Sequence, residues 1–155
     1  MPIVTLDFDQ ISIAAAVGAK RQIRRTLAGS ASQNCPTEGD FWQGNIEGAI
    51  AEFATALHLG VEWPGLTEGD YEPGAPDLVS KGRLIEVRSV NEDRRRLIVR
   101  DRDADDRYFI SALVKLPHVV LRGWILAKDA KREAWRIRSD GAPGFFVPTH
   151  ALKKF

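Results

Sequence analysis

Pro76-Asp77-Leu78-Val79-Ser80-Lys81-Gly82-Arg83-Leu84-Ile85-Glu86-Val87-Arg88 is the stretch that decides the fold. Lys81-Gly82 divides two runs of strand character, and such a short Gly-containing turn predicts a hairpin pairing Asp77–Ser80 with Leu84–Val90. In that hairpin Asp77 starts one strand and Glu86 lies on its partner, so the two carboxylates converge. Glu86 and Arg88 are two residues apart and share a face, whereas Ile85 and Val87 take the other face into apolar packing. Two carboxylates beside a fixed cation are costly in a core that has no use for them. Together they make a typical Mg²⁺ site, one that keeps several waters and leaves room for a phosphate.

Upstream, Asn45 is a good N-cap and Gly60 a good C′ residue, predicting a helix between them. Its apolar stripe is narrow, with Ile46, Ile50, Phe53 and Leu57 within about 60° of one another. Glu52 projects off that stripe among Gly48, Ala49, Ala56 and Leu59, neighbours small or apolar enough for another element to approach closely. Glu47 projects on the opposite flank. An earlier helix is expected from an Asp9 cap to about Ala28, with Ala16, Ala19, Ile23 and Leu27 on one face and Lys20, Arg21, Arg24 and Arg25 on the other. Gly29–Asp40 and Val61–Pro76, rich in turn residues, read as loops.

A leading strand is expected within Ile3–Phe8. Further strands are expected at Leu97–Arg100, Tyr108–Lys115, Val119–Ala127, Ala134–Ile137 and Phe145–Val147, with a helical turn at Lys128–Arg132. N-terminal helices followed by a mixed, mostly antiparallel sheet define an α+β class, and 155 residues suit a single domain over 1–155.

At Pro76-Asp77 and Glu86-Val87-Arg88 the chain resembles the PD-(D/E)XK nuclease superfamily, whose signature is an Asp after Pro followed by a strand bearing Glu-x-Lys. Ala51-Glu52-Phe53-Ala54 with Leu59-Gly60 looks like the helical Glu element of that family, with Ala51 where Gly is usual. The resemblance spans roughly Asn45 to Val90, and the helix–loop–hairpin order looks like small phage-encoded members. It implies a restriction-endonuclease-like core and Mg²⁺- or Mn²⁺-dependent hydrolysis of phosphodiester bonds in DNA, or in RNA. Asp77 and Glu86 would bind the metal, with the Val87 carbonyl as a further ligand and Glu52 on a metal-coordinated water or a second ion. Arg88 departs from the family's Lys: a guanidinium clamps a phosphate but does not deprotonate, so it cannot act as a base. That departure opens a second reading, a nucleic-acid-binding protein that keeps the fold without turnover; a third reading is a phage accessory or inhibitor protein acting by protein contact. Taken singly, Asp77 reads as a turn residue and Glu86 and Arg88 as solvent-facing neighbours; the joint occurrence with Glu52 points to function.

Composition narrows the chemistry. With 44% hydrophobic and 28% charged residues, the chain falls in the ordinary globular class. A single Cys35 and three scattered histidines disfavour zinc and suit a reducing cytoplasm. The sequence shows no signal pattern and no membrane-length apolar run, so no membrane partner is expected. The net charge of +1 hides separated clusters. Arg94, Arg95 and Arg96, with Lys20 and Arg24, are the candidate contacts to a nucleic-acid backbone, DNA in preference to RNA. A homodimer is compatible with all of this. Asp101-x-Asp103-x-Asp105-Asp106 lacks the Gly and Glu of a calcium loop and reads as a solvated turn. Trp63 and Tyr71 are candidates to stack on a base, whereas Trp124 and Trp135 belong in the core.

Overall fold

Apolar residues on both faces of one long strand set the layering. The computed structural model describes residues 1–29, 38–65, 74–90, 92, 96–137 and 143–155, with residues 38–40 described by their backbone alone. In chain order these form β1 (Ile3–Thr5), α1 (Phe8–Leu27), α2 (Glu38–Leu59), β2 (Leu78–Ser80), β3 (Arg83–Val90), β4 (Leu97–Arg100), β5 (Tyr108–Lys115), β6 (His118–Leu126), α3 (Ala127–Ala130), β7 (Arg136–Ile137) and β8 (Gly144–Val147). The larger sheet has the order β1-β6-β5-β3-β2; the β3–β5 pairing is parallel and the other three are antiparallel. A smaller antiparallel sheet, β4-β8-β7, forms a second layer. This is an α+β architecture.

One core lies between the helices and the larger sheet, built from Leu6, Ala14, Ile50, Ala54, Ile85, Val87, Ile110 and Leu121. A second core lies on the other side, where Leu97, Val99 and Val147 of the smaller sheet meet Phe109 and Ile125. Strand β5 contributes to both, and Phe109 to Val114 are all buried. A strand covered on two faces reads as a continuous apolar run rather than an alternation. The hairpin forms as expected, with Leu78 opposite Ile85 and Ser80 opposite Arg83. Its turn places Lys81 at φ 50° and Gly82 at φ 74°, the left-handed pair that matches the twist of the strands.

The helices depart from expectation. The N-cap of α1 is Asp7 rather than Asp9, in a reciprocal box with Gln10. Asp9 sits in the first turn, where a carboxylate favours the helix dipole. The expected apolar face of α1 is turned outward: Ile23 is 47% and Leu27 83% exposed, while Ala14, Val17, Gly18 and Gln22 are buried. The reason is close approach. A Cβ on Gly18 would lie 2.5 Å from the Asn45 carbonyl oxygen and from the Ile46 Cα, so the backbones of α1 and α2 meet there. Small residues, not the large aliphatics, therefore select the packed face.

The second helix begins at Glu38, not at Asn45, so the loop expected over Gly29–Asp40 is shorter; its remaining residues 30–37 lie outside the described residues. Asn45 is tolerated inside the helix because its amide donates to the Phe41 carbonyl (2.8 Å) and to Gln22 Oε1 (2.7 Å). Gly60 ends the helix with φ 64°. The narrow stripe is replaced by burial all round at Ala49–Glu52 and Ala54–Ala56, because α2 is sandwiched between α1 and the sheet. Ala134–Ile137, expected as one strand, splits into a 3₁₀ turn at Glu133–Trp135 and the short β7. Among the described residues no helix is long and apolar enough to cross a membrane.

Candidate metal and phosphate site

The site grows from the hairpin. The register that sets Leu78 against Ile85 brings Asp77, one residue before β2, beside Glu86 at the edge of the larger sheet. Asp77 Oδ2 accepts a 2.7 Å hydrogen bond from the Val87 amide, which fixes the carboxylate across the hairpin. Ile85 and Val87 pack under the helices. Glu86 and Arg88, by the two-residue period, take the opposite face. One Arg88 guanidinium nitrogen lies 3.4 Å from Glu86 Oε2 and 3.9 Å from Asp77 Oδ2. Both carboxylates thus face a single cation, and the guanidinium also lies over the Phe109 ring, 5.2 Å from its centroid. Arg88 keeps 40% of its side chain exposed, against 13% for Asp77 and 16% for Glu86. The acids are sheltered and the cation can still reach a ligand.

Electrostatics follow from that burial. Desolvation, with the nearby charges of Glu52 and Glu86, pushes the Asp77 carboxyl up to about 7, against the opposing pull of Arg88 and the Val87 N–H. Glu86 is also raised, chiefly by burial and further by Asp103, while Arg88 and Arg107 oppose the shift. Burial raises both carboxyls, Asp77 into the neutral range, and added positive charge beside them opposes both shifts.

Glu52 behaves differently from its partners. The element that approaches it closely is α1, which delivers Arg21: both Glu52 oxygens accept from the guanidinium, at 2.7 and 2.8 Å. The Trp63 indole adds a 3.3 Å bond to Glu52 Oε2 and packs edge-on against Phe53. Trp63, expected as a base-stacking residue, is thereby used within the fold; Tyr71 lies outside the described residues. Among the described residues no group of three or more His, Cys, Asp or Glu side chains is arranged to hold a metal ion. Glu52 is engaged by Arg21 and Trp63, and its charge is among those that raise the Asp77 carboxyl.

Two contributors went unread in the sequence. Arg107 donates to Glu86 Oε1 at 3.2 Å and to the Gly74 carbonyl, tying the hairpin to the segment before it. Nothing around Arg107 in the sequence signals this. Arg21 had a signal: it falls one turn beyond Val17 and Gly18 on the stripe that packs, although its basic neighbours disguise it.

Of the basic candidates, Lys20 and Arg24 lie exposed on α1, and Arg94 and Arg95 lie outside the described residues. Arg96 is exposed and lines a cleft with Arg122 and His150. The turn at Asp101–Asp106 is organised by Lys131, whose ammonium bonds the Asp101 and Asp103 carbonyls and Asp105 Oδ1 at 3.2, 2.6 and 2.7 Å. Trp124 and Trp135 are half-buried, as core-edge residues. Comparison of the chain with protein-family models, curated proteins and solved structures finds no match.

Proposed function

We propose that this protein is a divalent-metal-dependent nuclease of PD-(D/E)XK type, hydrolysing phosphodiester bonds of DNA, or of RNA, on a restriction-endonuclease-like core. The observation that carries the reading is the convergence of Asp77 and Glu86 on one guanidinium nitrogen of Arg88, at a sheltered sheet edge. The donors fit Mg²⁺ or Mn²⁺: they are hard oxygens, few enough to leave coordination positions for water and phosphate. Such an ion supplies an acidified water and neutralises charge on the phosphate.

The chain's own residues do the rest. Asp77 is held in place by the Val87 amide and Glu86 by Arg107, so both acids are positioned before any ligand arrives. Arg88, half-exposed beside them, clamps a phosphate and stabilises the extra charge of its transition state. The Arg21 guanidinium holds both oxygens of Glu52, whose charge acts on Asp77.

Arg88 in place of Lys favours a second reading, a nucleic-acid-binding protein without turnover, because a guanidinium does not take a proton from water. Calorimetry with Mn²⁺, together with cleavage of single- and double-stranded DNA and RNA, tests both. Binding abolished by Asp77→Ala and by Glu86→Ala, with cleavage in the parent, is the expected outcome. Binding without cleavage selects the second reading. Unchanged Mn²⁺ binding in both variants refutes the site.

A further inference from the structure

We infer that a second site, separate from the Asp77 cluster, binds the oxyanion of a phosphate group in the cleft beneath Arg122. The cleft is open and encloses about 620 Å³. Four separate stretches of chain bring polar groups to it: Arg96 just before β4, Arg122 in β6, Thr149 and His150 in the 3₁₀ turn after β8, and Lys154 near the C-terminal end. None of the described residues lining it is acidic.

The backbone is shaped to place Arg122 there. Ser111 of β5 pairs with Gly123 and the next residue, Ala112, pairs with Leu121, so Arg122 is the extra residue of a bulge. A bulge redirects a side chain that strand alternation would send elsewhere, and such irregularities concentrate beside functional sites. Gly123 adopts φ 136°, and a Cβ there would lie 2.6 Å from the Lys153 carbonyl oxygen. That oxygen instead accepts from the Trp124 amide at 2.9 Å, while Lys153 donates back at 2.8 Å. The bulge thus pins the terminal segment against β6 and delivers Lys154 to the cleft. Opposite, Leu97 pairs with Val147, which sets Arg96 beside the Pro148–Thr149 turn.

Arg122 itself is 9% exposed and donates to Thr149 Oγ1. Burying a guanidinium is costly unless it is held by partners, and Thr149, which also lines the cleft, is one of the groups that hold it. Arg96, His150 and Lys154 stand exposed at the rim. A buried arginine in a cleft that also carries the cations Arg96 and Lys154, the His150 ring and the Thr149 hydroxyl matches the tetrahedral, multiply accepting phosphate group. The phosphate can come from a polynucleotide strand or from a free phosphorylated molecule, and both sources share this chemistry.

The test titrates full-length protein separately with inorganic pyrophosphate and with a short single-stranded oligothymidylate, following the amides of Thr149 and His150 by NMR. Arg96→Gln and Lys154→Gln, both at exposed positions, are each expected to weaken binding roughly three- to tenfold. With the oligonucleotide each should also lower the salt dependence of log K by about 0.7. Arg25→Gln, an exposed cation on α1, is expected to change neither. Pyrophosphate binding alone assigns the cleft to a free phosphorylated ligand; oligonucleotide binding, with or without it, assigns the cleft to a strand. No shift at Thr149 and His150 with either probe overturns the inference, as does equal weakening by Arg25→Gln. Because the readout needs no metal and no cleavage, its failure is distinct from failure of the Asp77 site.

Discussion

Two acid–arginine groupings lie within one electrostatic neighbourhood of this molecule, and they are built in opposite ways. Glu52 and Arg21 are closed: both carboxylate oxygens are used at 2.7 and 2.8 Å, and the side chains are 8% and 14% exposed. Asp77, Glu86 and Arg88 are open: the contacts are 3.4 and 3.9 Å and the cation is 40% exposed. The closed pair satisfies the geometry that makes a buried charge tolerable. The open cluster leaves lone pairs and donors for something else. The difference separates a carboxylate that holds the fold together from carboxylates available for chemistry, although a sequence motif would group all three.

The largest effect is expected from breaking the closed pair. Arg21→Ala strands a buried Glu52 charge and should cost about 3–5 kcal/mol of stability, measured by urea denaturation. Adding Glu52→Gln should recover most of that loss, since the uncompensated charge is gone. A loss below about 1 kcal/mol in the single variant would erase the contrast, because Glu52 would then be as open as Glu86.

Arg88→Ala should behave in the reverse manner. Its long, half-exposed contacts contribute at most about 1 kcal/mol to stability, while on the proposed nuclease reading cleavage should fall on the order of 10²–10³-fold through loss of a transition-state charge contact. Arg88→Lys should retain measurable cleavage. Thermal unfolding and nuclease assays of the three proteins read both sides. Cleavage by Arg88→Ala equal to the parent would move the catalytic centre off this strand.

A smaller effect, confined to one pH range, comes from Asp77. Its folded carboxyl titrates near 7, above the ordinary value of 3.8. Between those values the folded state binds more protons than the unfolded one, so stability falls as pH rises through that window and is fully present below it. Asp77→Asn keeps an acceptor for the Val87 amide and removes the charge. It should flatten the profile and, at pH 8 without divalent ions, exceed the parent by on the order of 2 kcal/mol. Parallel pH profiles for the two proteins would show that Asp77 is not desolvated.

The hairpin was legible because its signals are local. A Gly-bearing turn sets the register, and the two-residue period then assigns Glu86 and Arg88 to one face and Ile85 and Val87 to the other, whatever lies above or below. The capping box of α1 is local too, since Asp7 and Gln10 are one turn apart, yet the cap expected from the sequence, Asp9, lies two residues too late. Other features depended on neighbours remote in the chain. The face of α1 that packs was decided by Gly18 meeting Asn45 and Ile46, a contact that carries little hydrophobic signal because the residues that permit it are small.

From that one contact follows the delivery of Arg21 to Glu52, both of whose carboxylate oxygens it holds. Arg107 reached Glu86 because β5, which follows it, lies parallel to β3. Arg122 turned into its cleft because β6 carries an extra residue opposite β5. The sequence by itself determined which strand presents the acids and which way they point, through periodicities of a few residues. Tertiary structure alone decided which arginine meets which carboxylate, because charge pairing across separate elements is set by how closely their backbones pack.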